Sequence, residues 1–184
     1  KTTILNHLLA NREGKKIAVI VNDMSEINID SQLINEQGFS RTTEKLVELT
    51  NGCICCTLRE DLLIEVEKLV KQGNIDYIVI ESTGISEPIP VAQTFTYIDE
   101  ETGIDLTPHC KLDAMITVVD ANRFWEDYES GETLLERKQT DDINDQRDVS
   151  DLLIDQIEFT NIICITKTDL VTPEYLDTLK AFLL

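Results

Sequence analysis

The chain has 184 residues, with 16 Lys and Arg against 35 Asp and Glu, a formal net charge of −19 at pH 7. So acidic a surface repels phosphate backbones and anionic bilayers, which are gripped by Lys and Arg, and it argues against a nucleic-acid or membrane partner. With 42% hydrophobic and 28% charged residues, no apolar run of about 18 residues and no signal-peptide-like start, the chain reads as one folded, cytoplasmic domain.

Thr3 to Asn11 is patterned as a helix that ends in the turn Asn11-Arg12-Glu13-Gly14. Lys16 to Val21 comes next as a continuous apolar strand, the kind found in parallel sheets covered on both faces. A short helix near Ser31 to Asn35 and a strand near Lys45 to Leu49 lead to Asn51-Gly52, a strong turn signal. Thr57-Leu58-Arg59-Glu60 has capping-box form, and Leu58, Leu62, Leu63, Val66, Leu69 and Val70 recur at helical spacing as far as Gly73. Asp76 to Ile80, Leu112 to Val119 and Asn161 to Ile165 read as buried strands, with helices near Val91 to Tyr97, Asp151 to Ile157 and Glu174 to Leu184. The alternation predicts an α/β fold, a mostly parallel sheet flanked by helices. Glu126 to Asp155 carries eleven Asp and Glu against three Lys and Arg, and its plain reading is a solvated face. No strand precedes the first helix and nothing comes after the last, so the chain is expected to be part of a longer protein.

Three short motifs carry chemistry. Lys1-Thr2-Thr3, opening a helix, matches the lysine and hydroxyl end of the phosphate-binding pattern G-x-x-x-x-G-K-[ST]. There the lysine neutralises phosphates, the next hydroxyl holds Mg²⁺, and amides at the helix start cradle the anion; the plain alternative is an ordinary helix start. Glu81-Ser82-Thr83-Gly84 comes directly after a buried strand, where α/β sheets bind ligands. Glu81 can hold Mg²⁺ or its water, and the Gly84 amide can sense a terminal phosphate. Thr166-Lys167-Thr168-Asp169 comes directly after another strand. A carboxylate at Asp169 can accept from the N1 and N2 donors of guanine, which adenine lacks, and Lys167 can lie along the base. Asn is usual where Thr166 stands, so guanine affinity is expected to be somewhat reduced.

Cysteine chemistry divides the same way. Cys53-Ile54-Cys55-Cys56 reads as free thiols or metal ligands, whereas Cys110 and Cys164 have the bland reading of small core residues. In extended backbone Cys53 and Cys55 face one way and Cys56 the other, and the helix starting at Thr57 favours thiolates. Two thiolates can begin a tetrahedral Zn²⁺ site completed by water, by Asp23 or Glu26, or by a histidine from elsewhere, and such an open site suits delivery more than structure. Redox-active or merely buried thiols are the alternative. His7 and His109 lack the paired spacing of metal ligands.

Asn51-Gly52-Cys53-Ile54-Cys55-Cys56-Thr57-Leu58-Arg59-Glu60-Asp61-Leu62 resembles the signature of the CobW-like metal-chaperone GTPases, and Glu81 to Pro88 matches the segment that follows it in that family. Val21 to Asp30 looks like the family's switch-like loop, in which Asp23 is more often Glu. Within the family the chain looks most like the YciC-type branch associated with zinc limitation in bacteria. The resemblance implies a P-loop GTPase domain of the SIMIBI class over residues 1–184, often dimeric, joined in the family to a smaller carboxyl-terminal domain that these residues lack. It makes Lys1, Thr2 and Thr3 the phosphate and Mg²⁺ residues, with Glu81 and Gly84 the metal and γ-phosphate sensors. Thr166, Lys167 and Asp169 become the guanine site, and Cys53, Cys55 and Cys56 the candidate transfer-metal site, for which Asp23 and Glu26 are the carboxylates already named. Lys1, Thr2 and Glu81 would then carry GTP hydrolysis, weak in these residues alone because the first strand and glycine loop are absent.

The function this implies is a GTP-hydrolysing zinc metallochaperone, using GTP/GDP, Mg and Zn and handing metal to an acceptor protein. Two readings compete with it: a GTPase that inserts cobalt or another metal during cofactor assembly, and a non-hydrolysing zinc-binding or thiol module.

Overall fold

The computed structural model describes residues 1–10, 13–22, 45–49, 57–82, 88–96, 98, 103–137 and 145–184. The helix expected near Ser31 to Asn35 and the Asn51-Gly52 turn lie outside these residues. The chain divides into two compact units, Lys1–Gly84 with Pro90–Lys111, and Ile85–Ile89 with Leu112–Leu184.

In the first unit, α1 (Thr2–Ala10) leads through a turn to β1 (Ile17–Asn22). Glu13 and Gly14 both have positive φ there, 51° and 80°, a backbone that Gly14 adopts without steric cost. β1 is the centre of a parallel sheet ordered β2-β1-β3, with β2 at Lys45–Leu49 and β3 at Tyr77–Ser82. Helix α2 (Thr57–Gln72) separates β2 from β3 in sequence. β1 is buried on both faces, and its alternation assigns each face a helix. Ala18 and Ile20 pack with Leu62, Leu63, Val66 and Leu69 of α2, while Ile17 and Val19 pack with Leu5 and Leu9 of α1. β3 keeps the same register, Ile78 and Ile80 joining the α2 side and Val79 the α1 side.

In the second unit, β4 (Ile116–Asp120) and β5 (Ile162–Thr166) form a parallel pair. Around it lie the short helix α4 (Phe124–Tyr128), helix α5 (Val149–Glu158) and helix α6 (Pro173–Leu183). Val119, Ala121, Phe124, Leu179 and Leu183 form its larger core, and Leu134, Val149 and Leu152 a smaller one. Asp148 N–H donates to Asp151 Oδ2 at 3.0 Å at the start of α5, and Tyr175 N–H donates to Thr172 Oγ1 at 3.3 Å at the start of α6.

The α/β expectation therefore holds, with every strand pairing parallel among the described residues. Three boundaries need correction. The strand expected over Leu112 to Val119 begins only at Ile116, because Met115 N–H donates to the Asn161 side chain at 2.8 Å and Leu112 is exposed. The strand expected to end at Ile80 runs on to Ser82, so Glu81 and Ser82 belong to it. The helix expected near Val91 to Tyr97 is α3 (Pro88–Gln93), started by prolines that its first turn tolerates and ended where Thr94 Oγ1 donates back to Pro90 O at 3.1 Å. Helix α4 was not foreseen, since five residues are too few to show a period.

Cys110 and Cys164 are free and half-buried. Cys110 packs on the first core, where burial pushes its thiol pKa up. Part of the acidic stretch is neutralised internally: Arg137 binds Asp127 at 2.7 Å and Glu132 at 2.5 Å, and Arg147 binds Asp145 at 2.6 Å. Among the described residues no helix is long and apolar enough to cross a membrane.

Ile20 is fully buried at the centre of the sheet, so Ile20→Ala is expected to cost about 2–5 kcal/mol, mostly through the cavity it leaves. Urea unfolding measures this as a lower midpoint at unchanged slope. A loss well under about 1 kcal/mol would refute the placement of β1 at the packing centre.

Candidate functional site

In the first unit, candidate residues meet where β3 ends. Glu81 lies opposite Val21, and Ser82 opposite Asn22, so both strands finish at one level. Along β3, Val79 is on the α1 side, and two residues further the same face presents Glu81. α1 starts there too: the amides of Ile4 and Leu5 donate to Lys1 O at 2.9 and 3.1 Å, which makes Lys1 the cap of the helix. Lys1 Nζ donates to Ser82 O at 2.7 Å. Lys1 keeps exposed surface as a residue, yet protein atoms crowd its ammonium. Desolvation therefore lowers its pKa, and the Glu81 carboxylate opposes the shift.

This arrangement can do specific work. A desolvated ammonium has lost part of its hydration, and an anion arriving beside it offsets that loss. The positive end of α1 favours the same charge. Glu81, whose Oε2 is buried, offers a hard oxygen of the kind that holds Mg²⁺. Lys1, the α1 start with Thr2 and Thr3, and Glu81 thus fit the phosphates of a nucleotide with its Mg²⁺.

In the second unit, a separate group of candidate residues is built on β4 and β5. The last register pair of the ladder is Asp120 opposite Thr166. Thr166 Oγ1 donates to Val119 O at 3.1 Å, and Ala121 N–H donates to Thr166 O at 3.0 Å, so the strand ends are laced together. The Thr166 hydroxyl thus supports the ladder, a job an Asn amide would do differently. Lys167 turns into the left-handed region, φ 56° and ψ 33°, at a cost of roughly 1–2 kcal/mol for a residue with a Cβ. That turn brings its ammonium back onto Asp120 Oδ2. It also starts the 3-10 turn Thr168–Leu170, on which Asp169 is exposed. Partial burial works against ionisation of Asp120, but the Lys167 ammonium and the Asn122 and Arg123 amides outweigh it and hold its pKa below the ordinary 3.8. Burial, with the charges of Glu129 and Asp120, pushes the Tyr175 phenol up.

Of the residues singled out in sequence, Lys1, Thr2, Thr3 and Glu81 gather in the first unit, and Thr166, Lys167 and Asp169 in the second. Gly84, Cys53, Cys55, Cys56, Asp23 and Glu26 lie outside the described residues. Among the described residues no three His, Cys, Asp or Glu side chains gather as a metal-holding group. Asp120 was missed. What singles it out is its register opposite Thr166, which the order of residues alone does not give.

The family described as the CobW/HypB/UreG nucleotide-binding domain matches residues 1–183, and the chain belongs to it. Its fold is accordingly the P-loop GTPase fold of that family. The chain is 50% identical over 191 residues to "Zinc-regulated GTPase metalloprotein activator 1" of Dictyostelium discoideum, an alignment covering 100% of this chain and 40% of that protein. It is 33% identical over 178 residues to "Zinc chaperone CobW" of Sinorhizobium sp, covering 93% of this chain and 48% of that one. With "Zinc chaperone YjiA" of Escherichia coli K12 it shares 41% identity over 126 residues, 66% of this chain and 36% of the relative. The chain thus spans less than half the length of these relatives.

The depressed pKa of Asp120 sets a sign for pH dependence. Stability from its ionised form is present above the unfolded-state pKa and is lost as pH falls through the folded one. Asp120→Asn is therefore expected to flatten the acid limb of the stability curve below about pH 4 while leaving its shape near neutrality unchanged. An NMR titration of the carboxyl carbon is expected to give a midpoint below 3.8, and a midpoint above it would refute the pairing with Lys167.

Proposed function

We propose that this chain is the GTP-hydrolysing part of a cytoplasmic zinc metallochaperone that delivers Zn²⁺ to an acceptor protein. The observation that carries this is the Lys1 ammonium, held by Ser82 O beside Glu81 at the start of α1, in a chain whose relatives are named as zinc chaperones and a zinc-regulated GTPase. A homodimer is the assembly that the family resemblance suggests.

Lys1 and the start of α1 bind the phosphates and hold them against the end of β3, and Thr2 and Glu81 hold Mg²⁺. When bound, Mg²⁺ supplies charge neutralisation for the phosphoryl group in transfer. Lys1 stabilises the same charge without changing its own protonation. Asp169 accepts from the base edge and selects guanine. Zinc is cargo: Cys53 and Cys55 hold it, Cys56 assists or orients it, and Asp23 or Glu26 joins when the nucleotide orders the loop after β1. That loop continues a strand of the phosphate-binding sheet, so a change there reaches both kinds of ligand.

The test is coupling. Zinc is expected to bind tighter with a non-hydrolysable GTP analogue than with GDP, by about 5- to 150-fold, the usual span of coupling between sites. Asp23→Ala and Glu26→Ala are expected to shrink the ratio, and the double variant Cys53→Ser, Cys55→Ser to abolish tight binding. Competition titrations giving one Zn²⁺ dissociation constant in both nucleotide states would overturn the chaperone reading.

Base selection is tested apart from zinc. The intact protein is expected to prefer GTP over ATP, and Asp169→Asn to weaken GTP and favour xanthosine nucleotides, because its amide can donate where the xanthine edge presents a carbonyl. Equal ATP and GTP affinity in the unaltered protein would sink the guanine-site assignment.

A further inference from the structure

The pairing of Asp120 with Lys167 has more order than an exposed ion pair needs. Lys167 is fixed at both ends of its side chain. On the backbone side, Thr166 O accepts from Ala121 N–H at 3.0 Å and Lys167 O accepts from Leu170 N–H at 3.1 Å. At the other end the ammonium is tied to Asp120 Oδ2. Asp120 is fixed in turn, by its register opposite Thr166 and by the Asn122 amide, which donates to Oδ1 at 3.0 Å. Between these anchors the methylene stem of Lys167 runs along the surface, with 53% of the side chain exposed.

We propose that Asp120 is a positioning residue of the nucleotide site: it holds Lys167 so that the methylene stem, and not the charge, meets the face of the base. The proposal deepens the guanine-site reading above and rests on it. Asp169 reads the edge of the base, and an edge contact leaves both ring faces without a partner. A straight alkyl stem is a narrow apolar strip that packs on a planar ring whatever substituents the ring edge carries. Left free, that stem would have to be ordered on binding, because a lysine has several rotatable bonds whose freedom is lost when a ligand fixes them. Asp120 removes that freedom before the ligand arrives. A purely stabilising role is the weaker account, since a pair this exposed, 53% and 29%, adds little to stability.

The experiment measures dissociation constants of GDP, IDP, XDP and pyrophosphate in the intact protein. Asp120→Asn is expected to weaken all three nucleoside diphosphates by one common factor, about five- to tenfold, and to leave pyrophosphate unchanged. Asp120→Glu is expected to restore most of the affinity. Lys167→Met keeps a stem but gives Asp120 nothing to hold, so it is expected to show the same base-blind loss, and it decides the matter if Asp120→Asn folds poorly. Adding Asp120→Asn to Lys167→Met is expected to cost nothing further. Pyrophosphate weakened as much as GDP, or GDP unaffected in both single variants, would overturn the proposal. Asp169→Asn separates the two failures. If it neither weakens GDP nor favours XDP, the guanine-site reading is at fault; if it does both while Asp120→Asn and Lys167→Met change nothing, only the positioning role falls.

Discussion

Parallel pairing of β1 with β3, in a register that ends Asn22 beside Ser82, is the constraint on which the meeting of Lys1 with the end of β3 depends. Parallel strands buried on both faces need a helix on each side, and alternation along β1 decides which helix covers which face. Leu5 and Leu9 of α1 pack on Ile17 and Val19, which sets the helix at one height along the sheet. That height brings Lys1 level with the end of β3, where Ser82 O receives its ammonium. A two-residue period then places Glu81 on the same face as Val79, the face that α1 covers. Apolar packing several residues away thus positions two charged groups. A change that let α1 slide by one turn would move Lys1 by about 5.4 Å and separate it from both partners.

The second unit obtains a site from the same geometry by a different local device. β4 and β5 also run parallel and end together, at Asp120 and Thr166, but here the charged groups meet through the backbone conformation of Lys167. A left-handed residue after a strand reverses the direction of its side chain within one position, and that is how a lysine beyond the end of β5 reaches a carboxylate at the end of β4. The strain of that conformation is localised where ligand chemistry is expected, in keeping with the tendency of such backbone to gather at binding sites.

Much of this was legible in the residues. Continuous apolar runs announced buried parallel strands, and β1, β2 and β5 fall within a residue of their expected bounds because turn residues or polar steps bracket them. Leu112 to Met115 misled because Leu and Met suit a strand, while the ladder there is stopped by the Asn161 side chain, a partner 46 residues away. α4 escaped because its aromatic residues signal a core but not a period, and Phe124, Trp125 and Tyr128 show their purpose only when Phe182 of α6 closes the cluster. Lys1, Glu81 and Asp169 were singled out because each sits in a motif with a chemical reason. Asp120 was not, because its meaning comes from a cross-strand neighbour, and register is a property of the folded sheet.

The two lysines show how one residue type meets opposite environments near the ends of parallel strands. Lys1 donates to a neutral carbonyl and loses solvent, and that desolvation lowers its pKa although Glu81 opposes the shift. A desolvated cation of this kind is suited to an electrostatic duty. Lys167 stands in solvent with a carboxylate bonded directly to its ammonium. A cation so compensated has little charge left to offer, and a phosphate arriving there would also have to face Asp120. What remains available is the length of its side chain, an apolar surface that bears no charge of its own. The environment set by each strand end therefore divides what the two lysines can offer: the first its nitrogen and the second, on the reading proposed above, its carbons.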